Sequence, residues 1–279
     1  MSGPILVTGG TGKTGRRLAL ALAARGARPR LASRTAEGPD TVRFDWNTPA
    51  TWEPALSGVG AAYLLAPQAA PETIAAVIAF SDRAIAAGCR RLVLLSASLL
   101  PLGGPGHGQI HAWLAEHAPE WAVLRPSWFM QNFSEGQLLG PIRAEGAIYT
   151  AAGDGRVGFV SADDIAACAA ACLTVPEPPN RDAILTGPRA ISYDEAAMIV
   201  SRVSGRPVTH HRIGADQLAA RHLDHGLTPA AAQGLAMMDL AIAAGAEDRT
   251  TGEVQALTGR PPIAFEDFAR AAAASWTLA

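Results

Sequence analysis

Three glycines spaced three residues apart mark the segment of this sequence best suited to hold a ligand. Gly9, Gly12 and Gly15 lie between an apolar run at residues 4–7 and an apolar, helix-forming stretch at 16–24. Glycines let a backbone approach phosphate oxygens closely, and the N–H groups at the start of a helix attract anions. The pattern therefore predicts a turn that grips a dinucleotide pyrophosphate. The expected contacts come from the whole turn, namely Gly9, Gly10, Thr11, Gly12, Lys13, Thr14 and Gly15.

Apolar runs that alternate with helical segments must position this turn. The alternation is typical of a parallel sheet with helices on both faces. Strands are predicted at residues 4–7, 29–33, 42–45, 61–65, 91–96 and 121–124, and helices at 71–88 and 108–117. The predicted fold class is α/β, a Rossmann-type doubly wound parallel sheet with a smaller α/β C-terminal substrate lobe.

The chain is expected to divide into two parts. Residues 1–126 are assigned to an NAD(P)-binding core, to which residues 157–186 return, and residues 127–156 and 187–279 to the smaller substrate-binding lobe. Ligands of such sheets bind beyond the carboxyl ends of the strands, near the point where the strand order reverses. Besides the glycine turn, the residues predicted to line this crevice are Ala66, Pro67, Ser96 and Pro126.

The end of the second predicted strand indicates which dinucleotide is bound. Enzymes for NAD usually carry Asp or Glu there, whereas this chain has Ser33-Arg34-Thr35, a cation between two hydroxyls. This favours the 2′-phosphate of NADP(H), and the only lysine of the sequence, Lys13, adds a second cation inside the turn. Asp45 and Trp46, after the third strand, are predicted adenine contacts; alternatively, Asp45 caps a helix near residue 48.

Composition excludes several other classes of function. A formal net charge of −2 and a pI near 6.4 provide no basic field for nucleic acid. No apolar run reaches the length of a membrane span and no signal peptide is recognisable, so a cytoplasmic protein is expected. Cys168 and Cys172 lie one helical turn apart among alanines, which indicates small buried side chains and no metal site.

Two pairs of a hydroxyl and an acid occur three residues apart, at Ser161 and Asp164 and at Ser192 and Glu195. This spacing is that of a helix capping box, so the acids are interpreted as caps and not as paired catalytic carboxylates. Thr228, followed by a proline, is interpreted as another helix cap.

Four further segments resemble one known family. They are residues 42–46 (VRFDW), 124–133 (LRPSWFMQNF), 152–155 (AGDG) leading to 160–166 (VSADDIA), and 191–196 (ISYDEA). Together with the glycine turn, they make nearly the whole chain similar to the NmrA-like atypical short-chain dehydrogenase/reductases, in particular to the festuclavine dehydrogenase branch. The resemblance implies that the loop after the sixth strand passes beside the nicotinamide and helps to wall a substrate pocket. The residues implied in that pocket are Trp128, Phe129, Met130 and Asn132.

The residues also limit the reaction. Ordinary short-chain dehydrogenases protonate the product with a tyrosine assisted by a lysine four residues later, and no such pair exists here, because Lys13 belongs to the turn. His111, in the helix after the fifth strand, is a candidate general acid; alternatively, it is a histidine on the surface of that helix. Ser96 is a candidate hydrogen-bond donor to an oxyanion. Reduction of an iminium needs no simultaneous proton, and a quinone or enone needs only such a donor.

The resulting hypothesis is an NADPH-dependent reductase of small iminium, quinone or enone acceptors, with a place in secondary metabolism. Two alternatives stay open: a non-catalytic NADP(H) sensor of the NmrA-like type, and a cofactor-assisted isomerase or epimerase. Small residues in predicted helices at 228–244 and 263–275 are compatible with packing inside the lobe or with a subunit contact in a homo-oligomer.

Overall fold

The computed structural model describes residues 3–66 and 71–277, and this part of the chain contains eleven strands and eleven α-helices. The strands are β1 (Ile5–Thr8), β2 (Pro29–Ser33), β3 (Thr41–Arg43), β4 (Ala61–Leu64), β5 (Arg91–Leu95), β6 (Glu120–Pro126), β7 (Ala147–Thr150), β8 (Arg156–Val157), β9 (Arg181–Leu185), β10 (Ile191–Ser192) and β11 (Thr209–Arg212). The helices are α1 (Lys13–Ala24), α2 (Trp52–Leu56), α3 (Pro71–Ala86), α4 (His107–His117), α5 (Leu139–Glu145), α6 (Ala162–Thr174), α7 (Tyr193–Ser204), α8 (Ala215–Asp224), α9 (Pro229–Ala243), α10 (Glu253–Thr258) and α11 (Phe265–Ala272). None of these helices is both long and apolar enough to traverse a lipid bilayer.

Seven strands form one sheet, in the order β3-β2-β1-β4-β5-β6-β9. Every neighbouring pair in it is parallel. Strands β1, β4 and β5 are buried along their whole length, as expected of apolar runs in a sheet that is covered on both faces. The order reverses between β1 and β4, so the carboxyl ends of these two strands flank the switch point. The predicted α/β, Rossmann-type fold class is confirmed.

The edge strand β9 is absent from the sequence-based prediction. It begins with two charged residues, Arg181 and Asp182, and only its positions 183 and 185 are buried, so it lacks the continuous apolar run of the inner strands. Two long-range contacts hold it instead: the ladder with β6 and a bidentate ion pair between Arg181 and Glu253 in α10. Neither contact is visible as a local pattern.

An aromatic cluster packs beneath the segment that follows β3. The rings of Phe44, Trp46 and Phe80 meet edge to face, with centroids 4.8 to 5.3 Å apart, and Trp52 packs on Phe80 in the same way. Edge-to-face pairs of this kind each contribute about 0.5–1.5 kcal/mol beyond the burial of their area. The cluster fixes the backbone on either side of Asp45.

The second group of elements has its own core and two small sheets. Strand β11 runs parallel to β7, and β10 runs antiparallel to β8. The core is rich in aromatic side chains: Phe133 and Phe159 contact each other, and each of them contacts Tyr193 and Phe265. This arrangement agrees with the predicted smaller α/β lobe.

The structure divides the chain at slightly different residues from those predicted. The first compact unit extends to Pro126 and includes Ala162–Leu185 and Glu253–Arg260, whereas the second comprises Ser127–Ser161, Thr186–Gly252 and the chain from Pro261 onward. Residues 157–161, predicted to return to the core, group with the second unit because Val157 pairs with β10 and Val160 with Phe129. Helix α10, predicted for the lobe, joins the first unit through its packing on α6 and the ion pair with Arg181.

The predicted helix caps at Ser192 and Thr228 are confirmed. Ser192 forms a capping box, because its hydroxyl accepts a hydrogen bond from the N–H of Glu195 while its own N–H donates to the Glu195 carboxylate. Thr228 accepts a hydrogen bond from the N–H of Ala231, and Pro229 begins the helix. The acid at position 195 is therefore used structurally.

The cysteines are buried and reduced, as predicted for Cys168 and Cys172. Burial raises the pKa of the Cys172 thiol to about 11, which keeps it protonated and unreactive. Across residues 3–66 and 71–277, no group of three or more histidine, cysteine or acidic side chains is arranged to hold a metal ion.

Candidate functional site

The turn after β1 is held by backbone hydrogen bonds and by close contact with α1. Gly9 has a φ of +64°, and its carbonyl accepts a hydrogen bond of 2.9 Å from the N–H of Gly12. The N–H of Gly10 donates to the carbonyl of Ala32 at 3.0 Å, which ties the turn to β2. A Cβ at position 15 would lie 2.2 Å from the carbonyl oxygen of Gly9. Position 9 therefore needs glycine for its conformation, and position 15 needs it for the close approach of helix and turn.

The first turn of α1 is suited to an anion. Gly12 is the N-cap residue, no side chain caps the helix there, and the first turn contains no acid. The partial positive charge of a helix start is therefore not neutralised from within the helix. Lys13 and Thr14 begin this helix, with Thr14 buried and Lys13 partly exposed.

A cavity of about 500 Å³ opens beside this turn, within the first unit. It extends from the glycines across the end of β2 to the segment after β3, and Leu65 and Thr73 also border it. The structure thereby brings together seven of the predicted cofactor residues, Gly9, Thr11, Gly12, Ser33, Arg34, Asp45 and Trp46. A glycine-lined cradle at an acid-free helix start, continuous with a cavity of this size, fits a dinucleotide.

Arg34 is the cation of this cavity. Its side chain is exposed, and it forms no hydrogen bond or ion pair with another residue in the described part of the chain. The hydroxyl of Ser33 donates to the carbonyl of Thr35 and so shapes the backbone on which Arg34 lies. A guanidinium that is not neutralised by a neighbouring acid is the group expected to bind a phosphate.

Asp45 and Trp46 form the far wall of the cavity, and both are anchored. One carboxylate oxygen of Asp45 accepts a hydrogen bond from the N–H of Asn47 at 2.9 Å, which makes a local turn. The 3₁₀ turn that follows has Thr48 as its N-cap, with no side-chain hydrogen bond, so Asp45 does not cap it. The indole N–H of Trp46 donates to the carbonyl of Leu65 at 3.2 Å, and Trp46 packs into the aromatic cluster. Adenine contact by these two residues stays a prediction.

Thr8, at the end of β1, is a positioning residue that the predicted cofactor contacts do not include. It is fully buried; its hydroxyl donates to the carbonyl of Tyr63 at 3.0 Å and accepts from the N–H of Leu65 at 2.7 Å. These two bonds join the ends of β1 and β4 at the switch point, where the sheet ladder has stopped. A threonine just before a glycine turn is the available signal, because its short hydroxyl can replace missing ladder bonds.

The other predicted crevice residues lie at strand ends as expected. Ala66 is buried beyond β4, and Pro67 lies outside the described residues. The hydroxyl of Ser96, directly after β5, is buried and has no hydrogen-bond partner among the residues that the structure describes. Pro126 ends β6, and its carbonyl accepts a hydrogen bond from the N–H of Ser98. Ser96 thus retains a donor near the carboxyl edge of the sheet.

His111 is packed into the interior of the first unit. Its side chain is 2% exposed, its ring lies 5.7 Å from that of Trp121, and Nδ1 has no hydrogen-bond partner within the described chain. Burial lowers the pKa of His111; Asp182 opposes this shift and Arg125 reinforces it. The lowered pKa favours the neutral imidazole, and the burial of the ring contradicts the alternative of a histidine on the helix surface. Its role as a proton donor stays a prediction.

The segment after β6 belongs to the second unit, where it is bonded to residues 158–161. Met130 donates its N–H to Val160, and Val160 donates to the carbonyl of Trp128. Trp128, Phe129 and Asn132 are partly exposed, whereas Met130 is 1% exposed and packs in the aromatic core. Met130 is the first residue of a short 3₁₀ turn, and it lines a small cavity of this unit together with Phe159 and Phe265. Substrate contacts by all four residues stay predictions.

Two buried acids in the second unit escaped the sequence analysis. Asp239, in α9, is 6% exposed and accepts a hydrogen bond of 2.9 Å from the N–H of Ala151. Glu247 is 1% exposed and accepts a hydrogen bond of 2.6 Å from the hydroxyl of Ser127. Asp239 is the only acid in the otherwise apolar run at residues 235–242, and this position is the sequence feature that predicts its burial. Acids are rarely buried unless they are paired.

Burial makes Asp239 a source of pH-dependent instability. It raises the pKa of the carboxyl to about 6, against an ordinary value of 3.8, and the Ala151 N–H only partly opposes the shift. The folded state thus binds the proton more tightly than the unfolded state, so stability falls as pH rises from about 4 to about 6 and then stays level.

We therefore expect Asp239→Asn to be more stable than the wild type at pH 8, by on the order of 2–3 kcal/mol, and nearly equal to it at pH 4. The amide keeps the acceptor for Ala151 but carries no charge. Urea unfolding at the two pH values measures the difference. A variant that is less stable at pH 8 would show that the ionised carboxylate is well solvated or paired.

Comparison with known proteins agrees with this geometry. No protein-family model matches the chain. The uncharacterised oxidoreductase YesF of Bacillus subtilis is 42% identical over 98% of this chain and 96% of its own length, and the agroclavine dehydrogenase of Claviceps fusiformis is 40% identical over 95% of each chain. The chain belongs to this oxidoreductase family, the NmrA-like atypical short-chain dehydrogenase/reductases.

A solved member of the same fold was determined with a cofactor. The triphenylmethane reductase of Citrobacter sp., complexed with NADP(H), superimposes with a TM-score of 0.77 at 24% identity, covering 97% of this chain and 99% of its own. At this identity the likeness concerns the fold. The family membership makes the chain an oxidoreductase, and the acceptor is a separate question.

Proposed function

We propose that the protein is an NADPH-dependent reductase of small organic acceptors. The observation that carries the proposal is the cavity beside the glycine turn, because it joins an acid-free helix start to the exposed, unneutralised guanidinium of Arg34. The oxidoreductase relatives and the NADP(H) complex of a structural neighbour support it.

Each part of the first unit has a task in this proposal. The N–H groups of the turn and of the start of α1 bind the pyrophosphate, and Lys13 adds a positive charge. Arg34 and Ser33 bind the 2′-phosphate, and Asp45 and Trp46 border the adenosine. The nicotinamide of bound NADPH supplies the hydride. The Ser96 hydroxyl, which the described residues leave without a partner, donates a hydrogen bond to developing negative charge.

The acceptor class follows from the missing tyrosine and lysine pair. The only lysine lies in the turn, so no lysine is available to assist a tyrosine after β5. Reduction of a simple ketone would need a proton donor at the alkoxide, whereas an iminium becomes a neutral amine on receiving hydride. Quinones and enones need only a hydrogen-bond donor. We propose these three classes, with the second unit as the substrate-binding lobe. The substrate contacts in this proposal are Trp128, Phe129, Met130 and Asn132.

The test combines binding with turnover. Calorimetric titration of the protein with NADPH and with NADH is followed by measurement of NADPH oxidation with an iminium, a quinone, an enone and a simple ketone. We expect tighter binding of NADPH and oxidation with at least one of the first three classes. Binding without oxidation would indicate a sensor, and product formation without net NADPH consumption would indicate an isomerase; either outcome overturns the proposal.

Arg34→Ala should remove the preference in binding affinity for NADPH over NADH. Loss of a charge-assisted hydrogen bond costs about 1.5–3 kcal/mol, so the Kd for NADPH should rise about 10- to 100-fold while that for NADH is unchanged. Arg28→Ala is the matched control, since Arg28 is exposed and precedes the opposite end of β2. Equal losses for both variants, or for both nucleotides, would refute the assignment of Arg34 to the 2′-phosphate.

A further inference from the structure

A cavity of about 80 Å³ in the second unit reaches from the protein surface to the aromatic core. Its floor consists of side chains that are no more than 4% exposed and carry no nitrogen or oxygen atom, namely Met130, Phe159, Ile191 and Phe265. Its mouth is lined by exposed or partly exposed residues, namely Pro188, Arg189, Ala264 and Glu266. The cavity is therefore open to a ligand and apolar inside.

Packing holds the floor of the cavity in place. The ring of Phe133 contacts two of its rings edge to face, with centroids 5.3 Å from Phe159 and 5.0 Å from Phe265. A Cβ at position 187 would lie 2.1 Å from the carbonyl oxygen of Phe159 and 3.4 Å from Cε of Met130, so Gly187 packs its backbone directly on these residues. Close packing on the outer side of the floor keeps the cavity open before a ligand binds.

Met130 connects this cavity with the acceptor. It is one of the substrate contacts in the proposed function, yet only 1% of the residue is exposed. A substrate can contact a side chain this buried only from a cavity that the side chain lines, and the present cavity provides that access. The part of the acceptor that contacts Met130 must therefore fit the cavity.

The ion pairs at the mouth of the cavity balance in charge. Arg189 donates hydrogen bonds of 2.9 Å to Glu195 and to Glu266, and Glu195 also pairs with Arg156 at 2.8 Å. Two guanidinium groups thus face two carboxylates. An ammonium group or a carboxylate would have to compete with these pairs, and the floor offers it no hydrogen-bond partner. The cavity therefore favours an uncharged, apolar group.

The volume sets the size of that group. An apolar cavity of about 150 Å³ stays dry and binds benzene, which corresponds to about 25 Å³ for each carbon atom. A cavity of about 80 Å³ thus has room for roughly three carbons. Water is a poor occupant, because a buried water needs two or more polar partners and the floor has none.

We propose that this cavity binds an uncharged alkyl substituent of about three carbons on the acceptor. Met130, Phe159 and Phe265 contact the substituent, and Ala264 limits its size at the mouth. The inference rests on the proposed function, because the acceptor is that of the reductase. It identifies the substituent by which the protein selects one acceptor over another.

The first test compares the chain length of the substituent. kcat/KM is measured with menadione and with its propyl and hexyl homologues, in which the longer chain replaces the methyl group, so that the electronic effect on the quinone is similar. Burial of one CH₂ group is worth about fourfold. We therefore expect kcat/KM to rise about 15-fold from methyl to propyl and not to rise further with hexyl. A rise that continues to hexyl, or no rise at all, would overturn the inference.

Two variants change the cavity in opposite directions. Ala264→Leu fills its mouth, and Met130→Ala enlarges its floor; a thermal melt verifies that each variant is folded. We expect Ala264→Leu to lose the gain from methyl to propyl, and Met130→Ala to prefer hexyl over propyl. Ala220→Leu, which adds the same atoms at an exposed position of α8, should keep the wild-type profile. A wild-type profile in Ala264→Leu would refute the assignment of the cavity to the substituent.

The second test needs no hydride transfer. NMR observes isotope-labelled methionine methyl groups while the propyl homologue is added without NADPH, and Met130→Leu assigns the Met130 signal. We expect a saturable shift of the Met130 signal in the wild type and none in Ala264→Leu. The signal of Met198, which is 58% exposed, should not move in either protein.

Together the tests separate the inference from the proposed function. If menadione is reduced but the Met130 signal of the wild type does not shift, the inference fails and the reductase stands. If the Met130 signal shifts but no acceptor is reduced, the alkyl-binding cavity stands and the reductase fails.

Discussion

Gly15→Ala is expected to weaken the binding of NADPH on the order of 100-fold. A Cβ at this position would lie 2.2 Å from the carbonyl oxygen of Gly9 and 2.8 Å from Cα of Gly10, and both atoms belong to the backbone. Neither atom can rotate away, so α1 must shift from the turn and carry with it the N–H groups that bind the pyrophosphate. Displacement by about 1 Å at such a site costs on the order of 100-fold, and overpacking destabilises the fold by about 1–3 kcal/mol.

The measurement is calorimetric titration with NADPH at a temperature where both proteins are folded. Gly140→Ala is the control, because position 140 is also helical and no atom lies within 4 Å of its added Cβ. Gly140→Ala should bind NADPH as the wild type does. A folded Gly15→Ala variant with wild-type affinity would show that the start of α1 does not take part in binding.

Arg91→Met is expected to have the largest effect on stability. Arg91 is 2% exposed in β5; its guanidinium pairs with Glu120 at 2.8 Å and donates to the carbonyls of Cys172, Val175 and Pro176. Methionine fills a similar volume but removes the donor to Oε2 of Glu120 and the donors to three carbonyls. Removal of one partner of a buried pair costs about 3–5 kcal/mol, which we expect as the loss in the free energy of unfolding.

Arg90→Met is the matched control for this change. Arg90 contacts the same carboxylate, at 3.4 Å, but its side chain is 71% exposed. An exposed pair contributes about 0–1 kcal/mol, so urea unfolding should barely distinguish Arg90→Met from the wild type. Similar losses for the two variants would contradict the role given to the carbonyl contacts of Arg91.

The features that sequence could predict are those encoded within a few residues. The glycine turn is recognisable from its residue types alone. Arg34 follows Ala32 by two residues, and Ala32 pairs with Thr8 of β1, so the sequence could predict that the turn and Arg34 border one cavity. The capping box at Ser192 is likewise local. These features depend on backbone geometry that the residue types themselves impose.

Features that depend on distant partners could not be predicted in the same way. Strand β9 is stabilised by its ladder with β6 and by the ion pair of Arg181 with Glu253. Thr8 becomes a positioning residue only because β4 ends beside it, where the N–H of Leu65 donates to its hydroxyl. Asp239 becomes unusual only when Ala151, 88 residues away, provides its hydrogen-bond donor and the core surrounds it. His111 illustrates the reverse, since an imidazole that titrates near neutrality suggested a general acid, whereas packing against Trp121 buries the ring and burial lowers its pKa.

The central claim is that the protein transfers a hydride from NADPH to an acceptor that needs no simultaneous proton. NADPH deuterated at one face of the nicotinamide C4 position tests it, with N-methyl-dihydroisoquinolinium as the acceptor and mass spectrometry of the amine product. We expect a single deuterium in the product from one of the two C4 epimers and none from the other. An unlabelled product from both epimers, or no product at all with any iminium, quinone or enone, would contradict it.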